Sequence, residues 1–99
     1  MSFNNAPTRS SLAKNGAGKL TVKATSQVLV LDNPDRVGIY VDNPSTSEVW
    51  LALGETATAS AGIWLKKEVG SKFITGYSGP ISCITTTGES NVPIAFAEI

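Results

Sequence analysis

From Lys19 onward the chain alternates apolar and polar residues in short runs. Leu20 to Ala24, Gln27 to Leu31, Arg36 to Asp42, Glu48 to Gly54, Gly62 to Lys66, Ser71 to Thr75, Pro80 to Thr86 and Asn91 to Glu98 follow one another. A period of two puts successive side chains on opposite faces of a strand, so each run predicts a β-strand with one buried face. Between them stand Asp32-Asn33-Pro34-Asp35, Asp42-Asn43-Pro44, Gly76-Tyr77-Ser78-Gly79-Pro80 and Gly88-Glu89-Ser90-Asn91, whose Asn, Asp, Gly and Pro supply turn geometry. The Asp-Asn-Pro triplets at 32 and 42 read as two turns flanking one strand, not as an internal repeat. No segment carries a helical period, and Thr56 to Ala61 reads as a loop of small residues. Seven or eight short strands at this spacing predict an all-β chain, an antiparallel β-sandwich of immunoglobulin-like or jelly-roll-like type.

Two runs match each other closely. Val37, Ile39 and Val41 share one face of the first, and Val49, Leu51 and Leu53 share one face of the second. With Asn43-Pro44-Ser45-Thr46-Ser47 as a hairpin turn, Val41 falls opposite Val49, Ile39 opposite Leu51 and Val37 opposite Leu53. Tyr40 then meets Trp50 on the outer face. In the last run Val92, Ile94 and Phe96 point one way, and Pro93, Ala95 and Ala97 the other. Pro93 cannot donate to a ladder, which predicts an edge strand or at least an unpaired side there.

Residues 1 to 18 lack hydrophobic periodicity and are rich in Asn, Ser, Ala and Gly. They read as a flexible arm on a β-sandwich domain of residues 19 to 99. Charge sharpens that division. The formal net charge is zero, yet residues 1 to 31 carry Arg9, Lys14, Lys19 and Lys23 with no acid, while the remainder holds all eight acids. A basic arm on an acidic body fits docking on an acidic protein surface. It lacks the dense basic stripe of a nucleic-acid binder.

A chain of 99 residues buries only about 60 to 65% of its unfolded surface, so self-association or docking on a partner is an expected supplement. Cys83 is the single cysteine and there is no histidine. An intrachain disulfide, the commonest zinc ligand and the usual general base are thereby excluded. No run approaches the roughly 18 apolar residues of a membrane helix, and the first residues lack the pattern of a signal peptide. The expectation is a soluble product made in a cytoplasm, without membrane or nucleic-acid partners.

Serines and threonines are abundant, but no nucleophile motif of the glycine-serine-glycine type is present. Asp32, Asp35 and Asp42 do not have the spacing of a calcium loop and read as turn-capping carboxylates. Gly54, Gly62 and Gly70 are not followed by the lysine and helix of a phosphate loop. The sequence therefore predicts no enzyme, metal or cofactor. What remains is aromatic: Tyr40, Trp50, Trp64 and Tyr77. With Ile63 and Leu65 facing inward, Trp64 faces outward. Such residues serve as a protein interface, as a sugar-stacking platform, or as core beneath a second layer. Together with Arg9, Lys14 and Lys19 of the basic segment they form the candidate interface.

Asn33-Pro34-Asp35-Arg36 entering an alternating strand, then Asn43, Val49-Trp50-Leu51-Ala52-Leu53-Gly54, Ala57-Thr58-Ala59 and Gly62 make a pattern that Tyr77-Ser78-Gly79-Pro80-Ile81 and the closing run to Glu98 complete. From about residue 27 onward the chain resembles small β-sandwich virion proteins of tailed bacteriophages, a group that includes capsid decoration or cement proteins and minor head and tail components. Where members of that group often carry a proline-glycine turn, this chain has Lys66-Lys67-Glu68-Val69-Gly70. The resemblance implies a non-enzymatic structural protein of the virion surface, a homo-oligomer and commonly a trimer, partnered by the major capsid protein or other virion proteins. A tail or receptor-binding sandwich gripping host carbohydrate is the alternative that the same aromatics would serve.

Overall fold

Strand pairing follows a nested order, as if one long hairpin had been rolled up. The computed structural model describes residues 17–86 and 91–99, with strands β1 (Ala17–Val22), β2 (Gln27–Val30), β3 (Gly38–Asn43), β4 (Val49–Leu53), β5 (Ile63–Leu65), β6 (Gly70–Thr75), β7 (Ile81–Thr85) and β8 (Val92–Glu98). All ladders are antiparallel: β1 with β8, β2 with β7, β3 with β6 and β4 with β5. Two further ladders, β3 with β8 and β4 with β7, join these pairs into the sheets β1-β8-β3-β6 and β2-β7-β4-β5. This is an all-β sandwich with the winding of a jelly roll. Among the described residues there is no α-helix, and Thr56 to Ala61 is loop.

The inner faces close on each other through the residues that alternation marks as apolar. Val22, Ile39, Val41, Ile74, Val92 and Ile94 come from one sheet, and Val49, Leu51, Leu65, Ile81 and Cys83 from the other; all are buried. Phe96 packs against this core. Its ring lies over Gly18, where a Cβ would come within 3.1 Å of it.

The matched runs form no hairpin with each other. β3 and β4 lie in different sheets, so Val41 and Val49 belong to opposing layers, and Tyr40 does not meet Trp50. The physical reason is that alternation reports which side of a strand is buried and not whether its neighbour lies beside it or across the core. Val37 precedes β3 and is 70% exposed, contrary to its expected burial.

The connection from β3 to β4 is an arch between sheets, and its buried polar groups are satisfied internally. Asn43 Nδ2 donates to the carbonyls of Ser47 (2.8 Å) and Leu65 (2.9 Å). Its Oδ1 accepts from Ser45 N (3.1 Å) and Ser45 Oγ (2.6 Å). Asn33 accepts likewise from Asp35 N at 3.1 Å. Both Asn-Pro motifs are therefore turns in which the Asn side chain caps the backbone two residues on.

β8 is not an edge strand, because it lies between β1 and β3. Its ladder with β3 nevertheless stops at Ala95, leaving that side of the strand unpaired beside Pro93, where a missing donor is tolerated. Most of the expected arm, with Arg9 and Lys14, lies outside the described residues, as does the Gly88-Glu89-Ser90 turn. Ala17 and Gly18, assigned above to the arm, are the start of β1.

Candidate functional site

The outer faces of the two sheets carry separate aromatic groups. On the β2-β7-β4-β5 sheet, Trp50 is the register partner of both Trp64 and Ile84, which makes one transverse row of three large apolar residues. Ala52, Ser82 and Val28 form the next row. Trp64 is 54% exposed, Trp50 half-buried and Ile84 buried. The outward setting of Trp64 follows directly from the inward setting of its neighbours Ile63 and Leu65.

Glu48 holds this row in place. Its Oε1 accepts from the Trp64 indole Nε1 at 2.7 Å and from Lys67 N at 3.2 Å. Its own carbonyl accepts from Thr85 Oγ1 at 2.7 Å. The indole N–H is thus satisfied within the fold, and the ring is held in one orientation. Nothing in the strand pattern marks Glu48 for this role, since its partner is sixteen residues away and on another strand.

On the β1-β8-β3-β6 sheet Tyr40 stacks on Phe73, with ring centroids 4.2 Å apart and planes 26° apart. Phe73 in turn lies over Gly38, where a Cβ would approach its Cζ to 2.6 Å. Tyr40 is 50% and Phe73 40% exposed. Beside them, on the same face, are Ala95 and Ala97 of β8, Asp42 of β3, and Ala17 and Lys19 of β1. Phe73 was missed by sequence reasoning because its own run alternates weakly; its pairing with Tyr40 is set by sheet order.

Tyr77 belongs to neither surface. It is half-buried against the core, and its hydroxyl donates to the Pro80 carbonyl at 2.8 Å. The hydroxyl fills space that a Cβ at Gly54 or Gly79 would invade, at 2.8 Å and 2.5 Å. Of the candidate residues, the fold brings Trp50 and Trp64 together, places Lys19 and Tyr40 on the opposite sheet, and uses Tyr77 to close a loop.

Among the described residues, no group of three or more Asp, Glu, Cys or His side chains is arranged to hold a metal ion. Burial pushes the Cys83 thiol up to about 12, so the thiolate required of a nucleophile is suppressed. A cleft of about 340 Å³ beside the β4–β5 loop is lined by Leu51, Leu53, Glu55, Thr58 and Ile63, among others, with Glu55 its sole ionisable group. No described helix is long and apolar enough to cross a membrane. Comparisons with protein-family models, with curated proteins and with solved structures find no match.

Proposed function

We propose that this chain is a non-enzymatic structural protein of a phage virion that binds the capsid exterior and braces neighbouring major capsid subunits. The observation that carries the reading is the Trp64-Trp50-Ile84 row, with Trp64 half in solvent and its indole pinned by Glu48. A large, rigid aromatic with apolar neighbours is the typical centre of a protein interface. Protein is favoured over sugar as the partner, since a sugar site requires polar side chains placed beside the ring to fix orientation. One carboxylate oxygen of Glu48, beside the ring, is already taken by the indole and the Lys67 amide. The basic N-terminal segment adds long-range attraction to an acidic capsid surface.

Occupancy on empty capsids, measured against salt concentration, tests the proposal. Charge attraction is screened over a Debye length of about 8 Å at physiological ionic strength, whereas desolvated aromatics are far less sensitive to salt. Trp64→Ala and Trp50→Ala are expected to reduce occupancy at high salt, and deletion of residues 1–16 to slow capture at low salt. Parental binding by both tryptophan variants at every salt concentration would remove the residue-level basis of the reading. Binding to host cells or polysaccharide, without capsid binding, would replace it by the carbohydrate alternative.

A further inference from the structure

The outer face of the β1-β8-β3-β6 sheet is self-complementary about its second strand. Lys19 and Asp42 are both register partners of Ala95, one on each side of β8. Ala17 and Tyr40 flank Ala97 in the same way. Across the face, then, one row reads cation, alanine, carboxylate, and the next reads alanine, alanine, tyrosine. Lys19, Tyr40 and Asp42 are exposed, and neither Lys19 nor Asp42 joins an ion pair among the described residues.

A two-fold axis parallel to β8, set just above it, keeps every row in place and exchanges the two sides. Lys19 of each copy then faces Asp42 of the other, twice over. Each Tyr40 ring lies on Ala17 of its neighbour, and the alanines of β8 meet across the axis without a bulky side chain to hold the sheets apart. Stacking on Phe73 fixes Tyr40 before contact. Reciprocal pairing of this kind is what a closed two-fold interface requires. We infer that this chain pairs with a second copy of itself through the β1-β8-β3 face, with Lys19–Asp42 contacts across a two-fold axis.

The footprint of three strands is about 300 Å² per copy from strand spacing and rise, well below the roughly 800 Å² per partner of a standard interface. Such a dimer is weak in dilute solution and is favoured where copies are concentrated. Its consequence, which does rest on the function proposed above, is that the Trp64 faces of the two copies point in opposite directions. One dimer would then present two docking faces and bridge two capsid subunits, as a brace must.

Sedimentation equilibrium of the full chain over micromolar to millimolar concentrations tests the pairing without capsids. The parent is expected to approach dimer mass, while Lys19→Glu and Asp42→Lys, each alone, weaken association at least tenfold through like charges at both contacts. An equimolar mixture of these two variants is expected to regain dimer mass, because the new carboxylate of one faces the new ammonium of the other and the unaltered pair faces across the second contact. Trp64→Ala should dimerise like the parent. A parent that stays monomeric to millimolar concentration, variants that associate like the parent, or a mixture that does not recover would each overturn the inference. Loss of capsid binding by Trp64→Ala with dimerisation intact separates failure of one proposal from failure of the other.

Discussion

Arg36 and Glu98, sixty-two residues apart in the chain, form an ion pair at one end of the sandwich, with Nε and Oε2 2.9 Å apart and the arginine side chain wholly buried. The remaining guanidinium nitrogens donate to the carbonyls of Leu31 (2.7 Å), Tyr77 (3.2 Å) and Gly79 (3.0 Å). One planar cation thereby joins the end of β2, the β6–β7 loop and the last strand. Arg36→Ala leaves a largely buried carboxylate and three carbonyls without their donor, and is expected to cost about 3 kcal/mol or more. Arg36→Lys should recover only part, because an ammonium cannot reproduce the arginine fork. Urea denaturation of the two variants checks this; a parental midpoint for Arg36→Ala would refute it.

Asn43 has a comparable role in the arch. Asn43→Ala removes both donors to Ser47 and Leu65 and the acceptor for Ser45 at a position that is 1% exposed. Leaving buried backbone groups unpaired costs about 1 to 3 kcal/mol each, so a loss of about 3 kcal/mol is expected in total. Asn43→Asp should be no milder, since it replaces two donors with a carboxylate in the same buried site. Thermal melts of both variants against the parent measure the effect.

Ile39 and Val37, two residues apart, should respond very differently to truncation. Ile39 is fully buried, and Ile39→Ala is expected to cost about 2 to 5 kcal/mol through lost contacts and the cavity left behind. Val37→Ala is expected to stay within about 0.5 kcal/mol, as exposed substitutions usually do. Tyr40→Ser should fall between them, losing the stack on Phe73, worth about 0.5 to 1.5 kcal/mol. Denaturant midpoints for the three decide it, and a Val37 effect as large as that of Ile39 would place Val37 in the core.

Cys83 links stability to alkaline pH. Burial raises the folded thiol from 9.0 to about 12, so the neutral form is favoured by folding. The stabilisation is fully present below about pH 9, where both states hold the proton, and is lost as pH rises from about 9 towards 12. Stability of the parent should therefore fall over that window more steeply than that of Cys83→Ala. The same burial predicts that a thiol reagent labels the native protein only as fast as it opens, which stopped labelling in increasing urea would show.

Local chemistry alone determined most of the strands and turn positions and, with exceptions such as the exposed Val37 and Leu53, the split between inner and outer residues, because period two, Asn-Pro capping and glycine-rich turns act between near neighbours in the chain. The inward setting of Ile63 and Leu65, and hence the exposure of Trp64, follows from that pattern without further information. Strand partnership did not. Val41 and Val49 carry the same signal whether they sit side by side in one sheet or face each other across the core, so only the three-dimensional winding put Tyr40 against Phe73 and Trp50 against Trp64. The same holds for Arg36 and Glu48, whose acceptors and donors are brought to them from distant segments by sheet order; a charged residue at the head of a strand looks like surface until the loops that close over it are in place.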